Sequence, residues 1–165
     1  MNFITIIPAR GGSQGLKNKN LQKVGKFKLI ERAIMTSVKT SLIDKTFVTS
    51  DSTSILNVAE KFQAETISRP KNLSKNNSSS ESAILHALKK IKQRYQILPK
   101  YVCFLQCTSP FIFNKDISGA YNKLIKSKYD SVFSVSKNHN NLWSINNKKI
   151  KPINHNPKKR LMRQK

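Results

Sequence analysis

Apolar positions along this chain fall into short runs and helical stripes separated by polar stretches. Residues 3–7 (FITII) form an apolar run ended by Pro8 and then two glycines, which predicts a buried strand opening into a loop that reaches about residue 26. Over 28–39, Leu29, Ile30, Ala33, Ile34 and Val38 recur at helical spacing between polar residues, predicting a first helix. Residues 46–49 (TFVT) predict a second strand, with Asp51, Ser52 and Thr53 as cap candidates for a helix that buries Ile55, Leu56, Ala59 and Phe62. A short third strand is expected over 65–68 and a polar surface loop over 69–77. Ser78 and Glu81 fit a capping box opening a helix with Ala83, Ile84, Ala87, Leu88 and Ile91 inward. A buried strand over 101–105 and a helix over 114–128 follow, the helix turning Ile117, Ala120, Tyr121, Leu124 and Ile125 inward, and 131–135 reads as a fifth strand.

Strands apolar throughout, alternating with helices of about 10 to 15 residues, are the pattern of a parallel sheet covered on both faces. The expected fold is α/β, a doubly wound, mainly parallel sheet. From about residue 137 the pattern fails. The remaining tail is basic, and Trp143, Ile145, Ile150 and Ile153 give it too little to bury by itself.

Composition adds one strong signal, 31 Lys and Arg against 8 Asp and Glu, a formal net charge of +23. Such a balance fits polyanion binding. It also fits a lysine- and asparagine-rich bias spread over every helix surface, and the scarcity of interleaved aromatics favours that second reading. No apolar stretch approaches the ~20 residues needed to span a bilayer, and the first residues lack a basic n-region and a small-residue cleavage site, so a cytoplasmic location without a membrane segment is expected. Cys103 and Cys107 share one extended run, too far apart to bridge, and read as reduced thiols. His86, His139 and His155 have no zinc-ligand spacing.

In a doubly wound sheet, ligands bind outside the carboxyl ends of the strands. The loop after the first strand carries Arg10, Gly11, Gly12, Ser13, Gly15, Lys17 and Lys19 within ten residues. Glycines bring backbone N–H groups close to an anion, and the cations add directional donors, so a triphosphate is the natural ligand. The spacing matches neither the P-loop nor the Gly-x-Gly-x-x-Gly dinucleotide fingerprint.

Ile7-Pro8-Ala9-Arg10-Gly11-Gly12-Ser13-Gln14-Gly15 followed by Lys19-Asn20-Leu21 resembles the signature of the acylneuraminate cytidylyltransferases, the CMP-sialic acid synthetases. Val48-Thr49-Ser50-Asp51, Arg69-Pro70 with Ser79-Ser80-Glu81-Ser82, and Leu105-Gln106-Cys107-Thr108-Ser109-Pro110 agree in order and spacing. The resemblance covers about 3–135 and, more weakly, the tail to Arg163-Gln164. It implies a Rossmann-like nucleotidyltransferase that takes CTP and a nonulosonic acid such as N-acetylneuraminate, releases pyrophosphate, and serves lipopolysaccharide or capsule synthesis.

By that resemblance Arg10 and Lys19, with Gln14 beside them, form the catalytic phosphate site. Ala9, Gly11, Gly12, Ser13, Gly15, Asn20, Arg69 and Ser80 join Arg10 in seating the nucleotide, and Gln106, Thr108 and Ser109 lie near the sugar. Several have a second reading. Ser80 fits as a support for the helix cap, Asp51 as a cap, Arg69 as a solvated loop residue, and Thr108 with Ser109 as the close of a turn.

The sequence departs from the family at Gln14, where a lysine is usual, at Lys17 and Cys107, where proline is usual, and at Ile112, often an arginine. The family's Asp-x-Asp pair for the catalytic Mg2+ is not found. The resemblance therefore implies a chain incomplete at its C-terminus, with 1–136 as the nucleotide-binding domain, 137–165 as the start of a dimerisation part of a homodimer, and magnesium lacking its protein ligands. Competing readings are a nucleotidyltransferase for another sugar acid (pseudaminic, legionaminic or deoxy-octulosonic) and, less favoured, a nucleic-acid-binding protein using Lys148, Lys149, Lys151 and the cluster Pro157-Lys158-Lys159-Arg160.

Overall fold

The computed structural model describes residues 1–12, 15–75, 78–136, 140–146, 149–154 and 156. In chain order these form β1 (Phe3–Pro8), β2 (Lys23–Val24), β3 (Phe27–Lys28), α1 (Leu29–Val38), β4 (Lys45–Ser50), α2 (Thr53–Lys61), β5 (Glu65–Ser68), α3 (Ser80–Tyr95), β6 (Tyr101–Phe104), α4 (Asn114–Ser127), β7 (Trp143–Asn146) and β8 (Lys149–Pro152). Short 3-10 turns occupy Lys19–Leu21 and Lys71–Leu73.

Residues 1–132 form one compact unit and 133–165 a second. In the first, β5, β4, β1 and β6 lie in that order in one parallel sheet, with Ile4 opposite Lys45 on one side of β1 and Val102 on the other. Period-two alternation sends successive β1 side chains to opposite faces. Phe3 and Ile7 pack with Val48 against Ile30, Ile34, Ile55, Ala59 and Ile117, so α1, α2 and α4 cover that face. Ile4 and Ile6 pack with Phe47 and Ile67 against Ala87 and Ile91 of α3 on the other. Both faces are therefore dry over β1 and β4, which explains why neither strand alternates in sequence. The doubly wound α/β expectation holds.

Several local expectations are corrected. The loop after β1 contains a hairpin, β2–β3, closed by Gly25 at φ 68, a left-handed position that suits glycine. The cap of α3 is Ser79, which accepts the N–H of Ser82, not Ser78. Val38 and Ile125 are exposed. So are Val102 and Phe104 of β6: it is an edge strand, and one helix about 10 Å across covers only about two strands spaced ~4.8 Å. No strand forms over 131–135, where Phe133 and Val135 are 80% and 81% exposed. Alternating apolar residues gain by strand formation only beside a neighbouring strand and under a covering face. Among the described residues they have neither. The tail from about 137, where the pattern was expected to fail, contains the antiparallel hairpin β7–β8, in which Ile145 faces Ile150 while both remain exposed.

Candidate active site

The chain runs outward from β1 to β4 and β5, then returns through α3 to β6 on the other side of β1. A crevice opens where such an order reverses. At the carboxyl ends of these strands lies a cavity of about 290 Å³, at the lower edge of small-molecule sites.

Its first wall is the loop after β1. Ala9 N–H donates to the Thr49 carbonyl, extending the β1–β4 ladder by one residue, and the Gly11 N–H donates to Asp51 Oδ1 at 3.0 Å. Asp51 thus braces this loop from the end of β4 instead of capping α2, whose N-cap position is Ser52 with no side-chain cap bond. A Cβ on Gly11 would lie 2.9 Å from Ser52 Cβ, so the close approach of the two loops requires glycine there. Asn18 takes the left-handed conformation at φ 52 to start the 3-10 turn that carries Lys19 and Asn20. The buried Asn20 amide Nδ2 donates to the Arg10 carbonyl at 3.0 Å, tying that turn to the glycine loop.

The second wall comes from the end of β5. Arg69 is 6% exposed, its N–H donating to the Ser50 carbonyl and its Nε to Ser74 Oγ at 3.0 Å. The reading of Arg69 as a solvated loop residue is therefore corrected. Burial lowers its pKa, Asp51 opposes that shift, and Arg10 adds to it. Arg10 Nη1 in turn donates to the Lys75 carbonyl at 3.3 Å. The third wall is the segment after β6, where Gln106 Oε1 accepts from Thr108 Oγ1 at 3.2 Å. The Ser109 N–H closes the turn onto the Gln106 carbonyl. Arg32 on α1 holds this segment, donating from Nε to the Pro110 carbonyl and from Nη1 to the Val24 carbonyl of the β2–β3 hairpin.

Of the residues singled out from sequence, Arg10, Lys19, Asn20, Arg69, Ser80, Gln106 and Thr108 line this one cavity. Ala9 is buried, and Ala9, Gly11, Gly12, Gly15 and Ser109 are not in its lining. Ser13 and Gln14 lie outside the described residues. Sequence reasoning passed over Ser74 and Lys75 of the β5–α3 loop and Phe104 at the sheet edge, and gave Ser79 no place in the site although it lay in a quoted motif. The rule that directs attention to the loop after β1 applies equally to every other loop at the carboxyl end of a strand.

Among the described residues four cations, Arg10, Lys19, Arg69 and Lys75, line the cavity, and no carboxylate or histidine does. Such a lining suits a polyanion. The Cys107 thiol, also in the lining, is pushed up to about 12 by burial, which outweighs the pull of Lys19, so it stays protonated and is a poor nucleophile. Magnesium prefers carboxylate or phosphate oxygens. Among the described residues no group of three or more His, Cys, Asp or Glu could hold a metal, and none of those lining the cavity is a carboxylate. No helix of the described residues is long and apolar enough to cross a membrane.

Comparison with known proteins places this geometry in context. A family model described as cytidylyltransferase matches residues 4–165. The chain is similar to N-acylneuraminate cytidylyltransferase A of Danio rerio, 31% identical over 163 residues, 96% of this chain and 37% of that protein. It is also similar to a pseudaminic acid cytidylyltransferase of Campylobacter jejuni (strain ATCC 700819 / NCTC 11168), 33% identical over 138 residues, 82% of this chain and 59% of that protein. Among solved structures, a CMP:2-keto-3-deoxy-manno-octonic acid synthetase complexed with CTP superposes with a TM-score of 0.65 at 16% identity, over 78% of this chain and 49% of that one. The chain thus spans 37% and 59% of the length of the two curated relatives.

Proposed function

The chain belongs to the cytidylyltransferase family, and from that premise we propose that it transfers CMP from CTP to a nonulosonic acid of the sialic type, N-acetylneuraminate or pseudaminic acid, releasing pyrophosphate. The observation that carries this reading is the cavity at the strand ends, lined among the described residues by four cations and no carboxylate. A nucleoside triphosphate carries about four negative charges, and each charge-assisted contact strengthens where water is excluded.

In this reading Arg10 and Lys19 hold the triphosphate, Asn20, Arg69 and Ser80 seat the cytidine, and Gln106 and Thr108 face the sugar acid. The anomeric hydroxyl of the sugar attacks the α-phosphorus, a new phosphorus–oxygen bond forms, and the bond to the bridging oxygen breaks as pyrophosphate departs. The hydroxyl proton passes to solvent in this reading, and among the described residues of the lining none is a carboxylate or imidazole. Arg10 and Lys19 neutralise the charge that builds on the departing pyrophosphate. Such transfer depends on alignment and charge compensation more than on proton abstraction. We read the location as cytoplasmic and the tail from 137 as the start of a homodimer contact.

Calorimetric titration of the chain with CTP, ATP and GTP tests the assignment. CTP is expected to bind in preference to the purine nucleotides, and Arg10→Ala to weaken CTP binding by about ten- to a hundredfold, the cost of one charge-assisted contact. Equal binding of all three nucleotides, or an Arg10→Ala protein that binds CTP like the wild type, overturns the assignment.

A further inference from the structure

We propose that Lys75, carried by the β5–α3 loop, is a contact for the distal phosphates of the bound nucleoside triphosphate. This inference rests on the CTP reading and adds to it a second loop that reaches the phosphates. Lys75 lines the same cavity as Arg10, Lys19 and Arg69. Its own backbone is held there from two sides: its carbonyl accepts Arg10 Nη1 at 3.3 Å and the Ser78 N–H at 3.0 Å. A further bond, Ser78 Oγ to the Asn72 carbonyl, closes the loop across Lys75. The residue is thus placed by a folded loop and not by a free surface.

Its charge is also uncommitted. The ion pairs among the described residues join Lys28 to Glu31 and both Lys45 and Arg94 to Glu65, and none involves Lys75. Among the described residues no carboxylate shares the cavity lining with Lys75, so a ligand anion is the natural counter-charge for its ammonium. Lys75 is exposed at the rim of the cavity. In the reading above Arg10 holds the triphosphate, and its Nη1 donates to the Lys75 carbonyl, so the outer phosphates lie beside Lys75. The hydrogen bond from Arg10 to the Lys75 carbonyl couples the two loops, so an anion held by both side chains fixes the loops together.

The test titrates wild type, Lys75→Gln, Lys75→Arg and Lys71→Gln with CTP, CMP and inorganic tripolyphosphate by calorimetry. Lys71 lies in the same loop outside the cavity lining and serves as the control. Lys75→Gln is expected to weaken CTP and tripolyphosphate about tenfold and leave CMP unchanged, while Lys75→Arg restores both and Lys71→Gln alters none. Unchanged tripolyphosphate and CTP affinity in Lys75→Gln, or an equal loss for CMP, overturns the proposal. If ATP binds wild type as well as CTP does while the Lys75 effect persists, the cytidine reading fails and the phosphate contact stands.

Discussion

Gly11 shows how one residue can be fixed by its neighbour. Its N–H is taken by Asp51 and its missing side chain leaves room for Ser52, whose Cβ would stand 2.9 Å from a Cβ at position 11. The clash is with the stem of a short side chain, which cannot swing away. Gly11→Ala should therefore destabilise the fold by about 1–3 kcal/mol through overpacking, and Ser52→Gly in the same chain should recover much of that loss. Urea midpoints of the two single variants and the double variant measure the coupling; simple additivity would show that the contact is not the cause. The glycine was legible as part of a glycine-rich loop, but its close approach to Ser52 was not, because the two residues meet only when β1 and β4 pair.

At the scale of elements, Glu65 joins three of them. It pairs with Lys45 of β4 at 2.6 Å and with Arg94 of α3 at 3.1 Å, and accepts a hydrogen bond from the Tyr95 hydroxyl. Burial by itself would raise the Glu65 pKa, but Lys45, Tyr95 and Arg94 outweigh it and hold the carboxylate below its ordinary 4.5. A carboxylate whose pKa is depressed by folding contributes stability above its unfolded pKa, and that stability is lost as pH falls through the folded value. The urea midpoint should accordingly fall as pH drops below about 4.5, and Glu65→Gln should be less stable at neutral pH with a flatter acid limb. Parallel acid limbs for the two proteins would assign the loss to other carboxylates. The strand and helix stripes on either side of Glu65 were readable from periodicity. This pairing was not, since β4–β5 pairing brings Lys45 to Glu65 and the return of α3 over the sheet brings Arg94.

For the whole molecule, a formal net charge of +23 makes self-repulsion a term in stability. Raising NaCl from about 0.02 to 0.3 M shortens the Debye length several-fold, so the thermal midpoint should rise while CTP affinity falls. A midpoint indifferent to salt would mean that the lysines are spaced widely enough not to interact. The two trends have opposite sign because salt relieves cation–cation repulsion and also screens cation–phosphate attraction.

The sequence alone determined the α/β class, the helix stripes and the glycine-rich loop after β1, because hydrophobic period and glycine spacing are local properties that each segment carries with it. It also gathered seven residues that prove to share one cavity, Arg10, Lys19, Asn20, Arg69, Ser80, Gln106 and Thr108. Tertiary structure alone decided which strand lay at the edge, leaving Val102 and Phe104 half-uncovered, and that 131–135 stays irregular. It decided too that Asp51 braces Gly11, that Arg69 is buried, and that Lys75 joins the cations. The physical reason is that pairing, burial and charge convergence depend on which distant segments become neighbours, and that is settled when the sheet assembles.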